Sequence, residues 1–401
     1  MKKISFCSLL LSLLTAAVFS LVACNNSDKK PVQTRLSIVT TIYPEYAWVK
    51  EILGTRIDSV DLTLLMKNGV DLHSYKPTAQ DIAKIASADM IVYVGGESDE
   101  WIKDALEATP KKGRSEVNLM EALGDRVKAE EVVEGMEAEH HHGEHAEEHE
   151  HHEHHDEHAD PSASSGTKEH HEHHDEHKEH AEEHHHHDEH KEHADPSTSS
   201  GTKEHHGEHA EEHEHHEHEE EVENDEHVWL SLKNAEILVQ KIAAELAKME
   251  PAHASLYTEN ANMYVTKLQL LDNEYRTVVE NSSRKTILFG DRFPFRYMVD
   301  DYGIKYYAAF VGCSAESEAS FETIAFLAGK MDSDSLPAIF TIEKGNNKIA
   351  SAILAASKNS KNAEILTINS MQSVTEQQIN EGIDYLYIMQ TNLDVLKKAL
   401  K

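Results

Sequence analysis

The sequence predicts an α/β protein built as two parallel-sheet units on either side of one long helix. Three observations carry this. Short β-branched or apolar runs alternate with helical stretches before residue 110 and again after residue 285, the pattern of parallel strands joined by crossover helices. Between them, residues 251–281 hold no helix breaker after Pro251. The extreme charge of the chain is confined to one internal tract. The 401 residues include 73 acidic, 38 basic and 32 histidine side chains, and residues 137–226 alone hold 33 of the acids, 4 lysines and 29 of the histidines. The rest is only weakly acidic, so the tract is an insert and the remainder can fold.

The elements follow in order. Residues 36–42 form a β-branched first strand, and residues 46–53 a helix stopped by Gly54. Residues 60–66 alternate as a second strand, followed by a loop over 67–73. Pro77 and Thr78 open a helix that sets Ile82, Ile85 and Ala86 on one face. Residues 90–94 are a continuous apolar strand closed by Gly95-Gly96, and residues 101–108 are helical. After the tract, Ile237, Leu238, Ile242 and Leu246 give helical spacing over 232–249. The helix over 251–281 would be a rod about 40 Å long, read as a spacer between two domains. The second unit has strands at 286–289, 306–310, 338–342 and 365–368, and helices at 293–301, 321–332, 348–356 and 375–400.

The N-terminus reads as an export signal over residues 1–23: Lys2 and Lys3 precede a long apolar run. An uncleaved membrane anchor is the alternative. Leu21-Val22-Ala23-Cys24 resembles the bacterial lipobox, which implies lipidation at Cys24 and a polar tether over 24–35. That places the protein outside the cytoplasm, anchored to the cell membrane by lipid, or in the periplasm if the cell has an outer membrane. With Cys7 removed and Cys24 acylated, Cys313 stands alone, so no internal disulfide is expected. No histidine neighbours Cys313, which reads as a small buried apolar residue.

The tract repeats itself: His158-Ala159-Asp160-Pro161 recurs as His193-Ala194-Asp195-Pro196. It has almost nothing to bury and is expected to be disordered without metal. Imidazole and carboxylate at this density suit a labile reservoir of divalent metal, the alternative being a solubilising spacer. Dozens of equivalent donors make many weak sites, so a defined site must lie elsewhere. Outside the tract only His73, His227 and His253 occur. His73 lies on a loop after a strand, where α/β folds bind ligands. His253 reads as a solvated helix residue.

Asp71-Leu72-His73-Ser74-Tyr75-Lys76-Pro77 resembles the His-x-Tyr-x-Pro loop of the zinc/manganese (cluster A-I) class of ABC-transporter substrate-binding lipoproteins, and Asp225-Glu226-His227-Val228-Trp229-Leu230-Ser231 their Asp-Pro-His-x-Trp-Leu-Ser motif. Blocks at 289–303, 313–320 and 366–375 resemble three further family blocks in the family's order, and a histidine-rich insert before the second motif is typical of the zinc members. The resemblance implies two Rossmann-like lobes: an N-terminal lobe over 36–136 and 227–250, a linking helix over 251–281 and a C-terminal lobe over 282–401. It implies metal held between the lobes by His73 and His227. Arg292 stands where the third block usually has histidine, so Asp291 is the candidate donor there, with a helix N-cap as its alternative role. Glu318 matches a family glutamate, and Gln372 stands where a carboxylate or histidine is usual; either could orient the ligands instead of binding.

The resemblance implies a monomer that captures Zn(II) as transported ligand and delivers it to a membrane permease with its ATPase, through modest lobe shifts. A manganese or iron receptor of the same class, or a surface metal-storage or adhesion lipoprotein without a transporter, are the other readings. Enzyme frames are missing: the sequence has no His-Glu-x-x-His, phosphate-binding Gly-x-x-x-x-Gly-Lys or Gly-x-Ser-x-Gly. The acidity excludes nucleic acid as a partner.

Overall fold

The structure, a computed structural model, describes residues 35–137, 223–314, 318–358 and 360–401. The expected export signal, the expected lipidation site at Cys24 and nearly all of the histidine tract lie outside the described residues. Among the described residues no helix is long and apolar enough to cross a membrane.

The N-terminal lobe is built from β1 (Leu36–Thr40), α1 (Tyr43–Leu53), β2 (Val60–Leu64), α2 (Ala79–Ser87), β3 (Met90–Tyr93), α3 (Glu100–Ala108), β4 (Ser115–Asn118), α4 (Leu119–Leu123) and α5 (Leu232–Met249). Next come α6 (Ala254–Asn281), then β5 (Thr286–Phe293), α7 (Arg296–Tyr302), β6 (Lys305–Val311), α8 (Phe321–Ser333), β7 (Ala338–Ile342), α9 (Lys348–Ala356), β8 (Glu364–Ile368), α10 (Glu376–Asn380) and α11 (Tyr385–Ala399). The sheets run β2-β1-β3-β4 and β6-β5-β7-β8, parallel throughout. Each lobe thus lays down its second, first, third and fourth strand in the same order. Ligands of such sheets bind beyond the carboxyl ends of the strands, and it is there that the two lobes face each other.

Local chemistry sets the helix starts. Thr78 and Asp81 cap α2 reciprocally: the Thr78 hydroxyl accepts from the Asp81 amide at 3.3 Å and Asp81 accepts from the Thr78 amide at 3.1 Å. Ser231 caps α5 by accepting from the Asn234 amide at 3.0 Å. The expected single helix over 375–400 is two helices. Gly382 adopts a φ of 91° that continues no helix, and Asp384 then caps α11 by accepting from the Tyr387 amide at 2.7 Å. The expected helix over 293–301 starts later, because β5 runs on to Phe293 past a register shift between Phe289 and Arg292. Strand β4 escaped the sequence reading because Val117 is its one buried residue, too little for an alternating pattern.

The long helix α6 spans 28 residues, about 42 Å at 1.5 Å per residue. It is more than the bare spacer its length suggested. Tyr257, Ala261, Tyr264, Leu268, Leu271, Tyr275 and Val279 form a buried stripe at helical spacing. Asn260 donates to the Ile52 carbonyl at the end of α1, at 2.9 Å. Further along, the Tyr275 hydroxyl donates to the Met389 carbonyl in α11, at 2.6 Å. One helix therefore packs against both lobes, and a single apolar cluster runs through them. In the C-terminal lobe β5 lies hard against α9: a Cβ on Gly290 would stand 2.6 Å from the Ala350 Cα and 2.8 Å from its amide nitrogen. Gly290→Ala is expected to destabilise by about 1–3 kcal/mol through this backbone clash; an unchanged thermal midpoint would show that the contact is slack.

The segments flanking the histidine tract are built into the lobes. Asn224 bridges antiparallel to Ala129, with the Glu130 amide donating to the Glu223 carbonyl and the Asp225 amide to the Lys128 carbonyl, both at 2.8 Å. The Glu137 amide donates to the Ala309 carbonyl in β6 at 2.9 Å. Asp225 and Glu226, inside the range expected to be disordered, are buried. Their main-chain bonds and their contacts with the histidines hold them there, so that expectation is corrected for these residues.

Candidate metal centre

The chain enters the cleft first after β2. Asp71 caps a one-turn 3-10 helix, Leu72–Ser74, by accepting from the His73 amide at 3.1 Å, while Leu72 anchors the turn in the core. His73 Nδ1 lies 2.8 Å from the Ser98 hydroxyl, in the segment after β3. His227 precedes a second such turn, Val228–Leu230, whose three side chains are fully buried. Asp225 Oδ1 accepts from both the His227 amide, at 2.8 Å, and His227 Nδ1, at 2.9 Å. With that nitrogen committed as a donor, the lone pair of His227 is on Nε2, the arrangement that orients imidazole ligands in metal sites.

The two Nε2 atoms face each other at 3.2 Å. Tetrahedral zinc with bonds of 2.0–2.1 Å separates two nitrogens by about 3.3 Å, so the pair is already at ligand spacing. Burial, together with His227 and Arg292, pushes His73 down to about 3 against the opposing pull of Asp71. It is therefore neutral, the form that binds metal. Unfolded histidine takes up its proton near 6.5. As pH falls from about 6.5 towards 3, the unfolded chain gains a proton that folded His73 refuses. The contribution of His73 to stability is complete above that window and declines by up to about 1.4 kcal/mol per pH unit within it. Metal-free His73→Asn is expected to lose less stability than the parent between pH 7 and pH 5 in urea titrations; equal losses would contradict the neutral, buried assignment.

A third donor comes from the turn after β6. His73, His227 and Cys313 each offer a ligand atom, all within 4.8 Å of one another, and they form the one such group of histidine, cysteine and carboxylate side chains found among the described residues. The approach depends on Gly312: a Cβ there would lie 3.0 Å from His227 Cε1 and 2.9 Å from the Phe293 carbonyl oxygen. The Cys313 amide donates to Glu130 Oε1 at 3.1 Å. Burial first, then the carboxylates of Glu130, Asp225 and Glu226, push the thiol up. Glu226 receives the Ser98 amide on Oε1 at 2.8 Å, and its Oε2 lies 3.7 Å from His73 Nδ1. Behind it, burial raises Asp99 to about 7, with Glu226 adding to the effect.

The other expected donors are placed differently. Asp291 accepts from the Arg292 amide at 2.9 Å and from the Ile342 amide at 3.2 Å, so both its oxygens are engaged by backbone. It lies in β5 and caps no helix. Arg292 pairs with Asp71 and donates to Gln372 Oε1 at 3.2 Å. Ser370 donates to that same oxygen at 3.2 Å. Gln372 therefore turns its amide nitrogen to the imidazoles, 2.7 Å from His227 Nε2 and 3.1 Å from His73 Nε2. Glu318 is exposed and outside the His73–His227–Cys313 group. His253 stands at the N-cap position of α6 without a side-chain capping bond and lies beside Tyr257, ring centroids 6.3 Å apart. A cavity of about 400 Å³ between the lobes is lined by Asp71, His73, Asp291, Arg292, Ser314 and Gln372 among others, and so reaches the first of the two imidazoles. Its donors can hold a borderline-soft divalent cation.

Cys313 is the residue that sequence reasoning missed. Its signal was present: it lies in the 313–320 block, directly after a glycine. Asp225, missed as well, sits two residues before His227, the spacing that lets one carboxylate hold both the backbone and the ring.

Comparison with known proteins agrees with this architecture. The family model described as "ZnuA: Zinc-uptake complex component A periplasmic" matches residues 38–399. The chain is 28% identical over 401 residues to the zinc-binding lipoprotein AdcA of Streptococcus pneumoniae, all of this chain aligning with 61% of that protein. It is 27% identical over 390 residues to the high-affinity zinc uptake system protein ZnuA of Bacillus subtilis, covering 96% of this chain and 95% of that one. The chain thus spans less than two thirds of AdcA and nearly all of the Bacillus protein. Among solved structures, the Zn(II)-bound ZnuA-like domain of S. pneumoniae AdcA superposes with a TM-score of 0.57 at 23% identity, over 91% of this chain and 99% of that domain. The periplasmic zinc-binding protein TroA of Treponema pallidum gives 0.60 at 20% identity, with coverage of 91% and 99%. These likenesses show the two-lobed fold.

Proposed function

This chain belongs to the family of the periplasmic component A of zinc-uptake complexes, and from that premise we propose that it captures Zn(II) between its lobes and delivers it to an ABC importer. It is a binding protein, not an enzyme. His73 and His227 bind the ion, Asp225 and Ser98 hold their rings, and Asp291, Gln372 and Glu318 shape or complete the site. The histidine tract gathers metal loosely and raises its concentration at the cleft. A lipid on Cys24 keeps the protein at the outer face of the cell membrane, and a permease with its ATPase docks across both lobes at the cleft mouth. The observation that carries this reading is the pair of buried imidazoles, 154 positions apart in sequence, whose Nε2 atoms meet at 3.2 Å.

Zinc titration of a variant lacking residues 138–222 tests it. This deletion spares Asp225 and Glu226, whose loss would strip His227 of its carboxylate. One tight site should survive the deletion and vanish on adding His73→Ala. Loss of all tight binding with the tract alone would overturn the assignment. Competition by Mn(II) and Fe(II) in the same variant separates zinc from the alternative cargoes, and imidazole ligands predict that Mn(II) competes poorly.

A further inference from the structure

We propose that Cys313 is the third protein ligand to the transported ion, so that the cleft holds a two-histidine, one-cysteinate set; this rests on the zinc-capture reading and deepens it. The geometry supplies the first argument. Zinc bonded to sulfur at 2.3 Å and to nitrogen at 2.0–2.1 Å sets those atoms about 3.6 Å apart. The three donor atoms already lie within 4.8 Å of one another. A side-chain rotation or a small movement of the turn closes the difference. Gly312 is the device that lets the turn lie against the His227 ring, since any Cβ would press on that ring and on the Phe293 carbonyl.

The surroundings supply the second argument. A cysteine serving as apolar filler belongs among apolar groups. Cys313 is instead partly buried, with its ligand atom beside the two imidazoles and its amide donating to the Glu130 carboxylate at 3.1 Å. Glu226 is almost wholly buried, its side chain 4% exposed, and its Oε2 has no hydrogen-bond partner among the described residues. Two imidazole lone pairs, a sulfur and a buried carboxylate oxygen without a donor are a set that a cation complements.

The neighbouring alternatives are occupied. Arg292 is held by Asp71 and Gln372, and the Gln372 oxygen accepts from Arg292 and Ser370. The Gln372 amide nitrogen lies against both Nε2 atoms and must withdraw when the ion enters. On binding, the sulfur–metal bond replaces a metal–water bond; the displaced water and the thiol proton go to solvent. Three protein ligands leave one tetrahedral position open, as suits an ion that is handed on. A thiolate also favours Zn(II) and Cd(II) over Mn(II).

Co(II) is the probe, added at one equivalent to the full-length chain. Thiolate ligation gives an intense near-ultraviolet charge-transfer band that histidine and carboxylate ligands do not, so the tract cannot imitate it. The band should appear in the parent protein and disappear in Cys313→Ala and Cys313→Ser, in which Cys7 and Cys24 are untouched. Zinc affinity at the cleft should fall on the order of 100-fold in both variants, with the metal-free melting profile retained. A parent protein without the band, a band that persists in Cys313→Ala, or unchanged zinc affinity overturns the cysteine assignment. If His73→Ala instead leaves tight zinc binding intact, it is the zinc-capture reading that fails.

Discussion

His227→Ala is expected to weaken zinc binding at the cleft by about a thousandfold, equivalent to about 4 kcal/mol. The variant loses one of two imidazoles whose Nε2 atoms, 3.2 Å apart, already stand at the spacing that one zinc ion requires. It also strips Asp225 of the ring N–H that it accepts at 2.9 Å, leaving a buried carboxylate with the backbone amide of residue 227 at 2.8 Å as its remaining donor from that residue. A buried charge that loses a partner is costly whether or not metal is present, so metal-free stability should fall as well. Isothermal titration of the tract-deleted protein, with urea unfolding beside it, separates the two losses. Affinity within tenfold of the parent would show that the ion is held elsewhere.

Trp229→Ala is expected to have the largest effect on folding. Trp229 is fully buried, donates from its indole nitrogen to the Ser370 carbonyl at 2.8 Å, and has its own carbonyl held by the Tyr385 hydroxyl at 2.7 Å. Its ring lies against His227, centroids 5.2 Å apart, and Tyr385 packs against Trp48 in α1. Truncating a buried tryptophan costs about 3–5 kcal/mol, and stranding the Ser370 carbonyl adds about 1–3 kcal/mol. Because the same turn aims His227, zinc affinity should fall alongside. A urea midpoint shift corresponding to less than about 1 kcal/mol would mean that this turn is no anchor between the lobes.

His73 and His227 were identifiable because each sits in a short block whose neighbours serve it locally, Asp71 as a cap and Leu72 and Trp229 as anchors. Asp291 and Gln372 were expected to offer oxygen, and both are present at the cleft. Which way their polar atoms turn was illegible, because that depends on the Ile342 amide, 51 positions from Asp291, and on Arg292, 80 positions from Gln372. Cys313 read as filler because its companions lie 240 and 86 positions earlier in the chain, and spacing arguments work only over a turn or two. The division of the final helix hinged on one glycine inside a strongly periodic stretch, where hydrophobic period outweighed the breaker.

Sequence alone determined that the chain alternates strands and helices in two units, that its acidity belongs to one tract, and that two histidines outside that tract stand on anchored loops. These are properties of period, composition and neighbours, all local. Tertiary structure alone decided that the carboxyl ends of both sheets meet, that α6 packs against both lobes, and that a glycine-led turn sets a thiol beside the imidazoles. Those facts arise from long-range packing, in which the energy of each contact depends on groups far away in the chain.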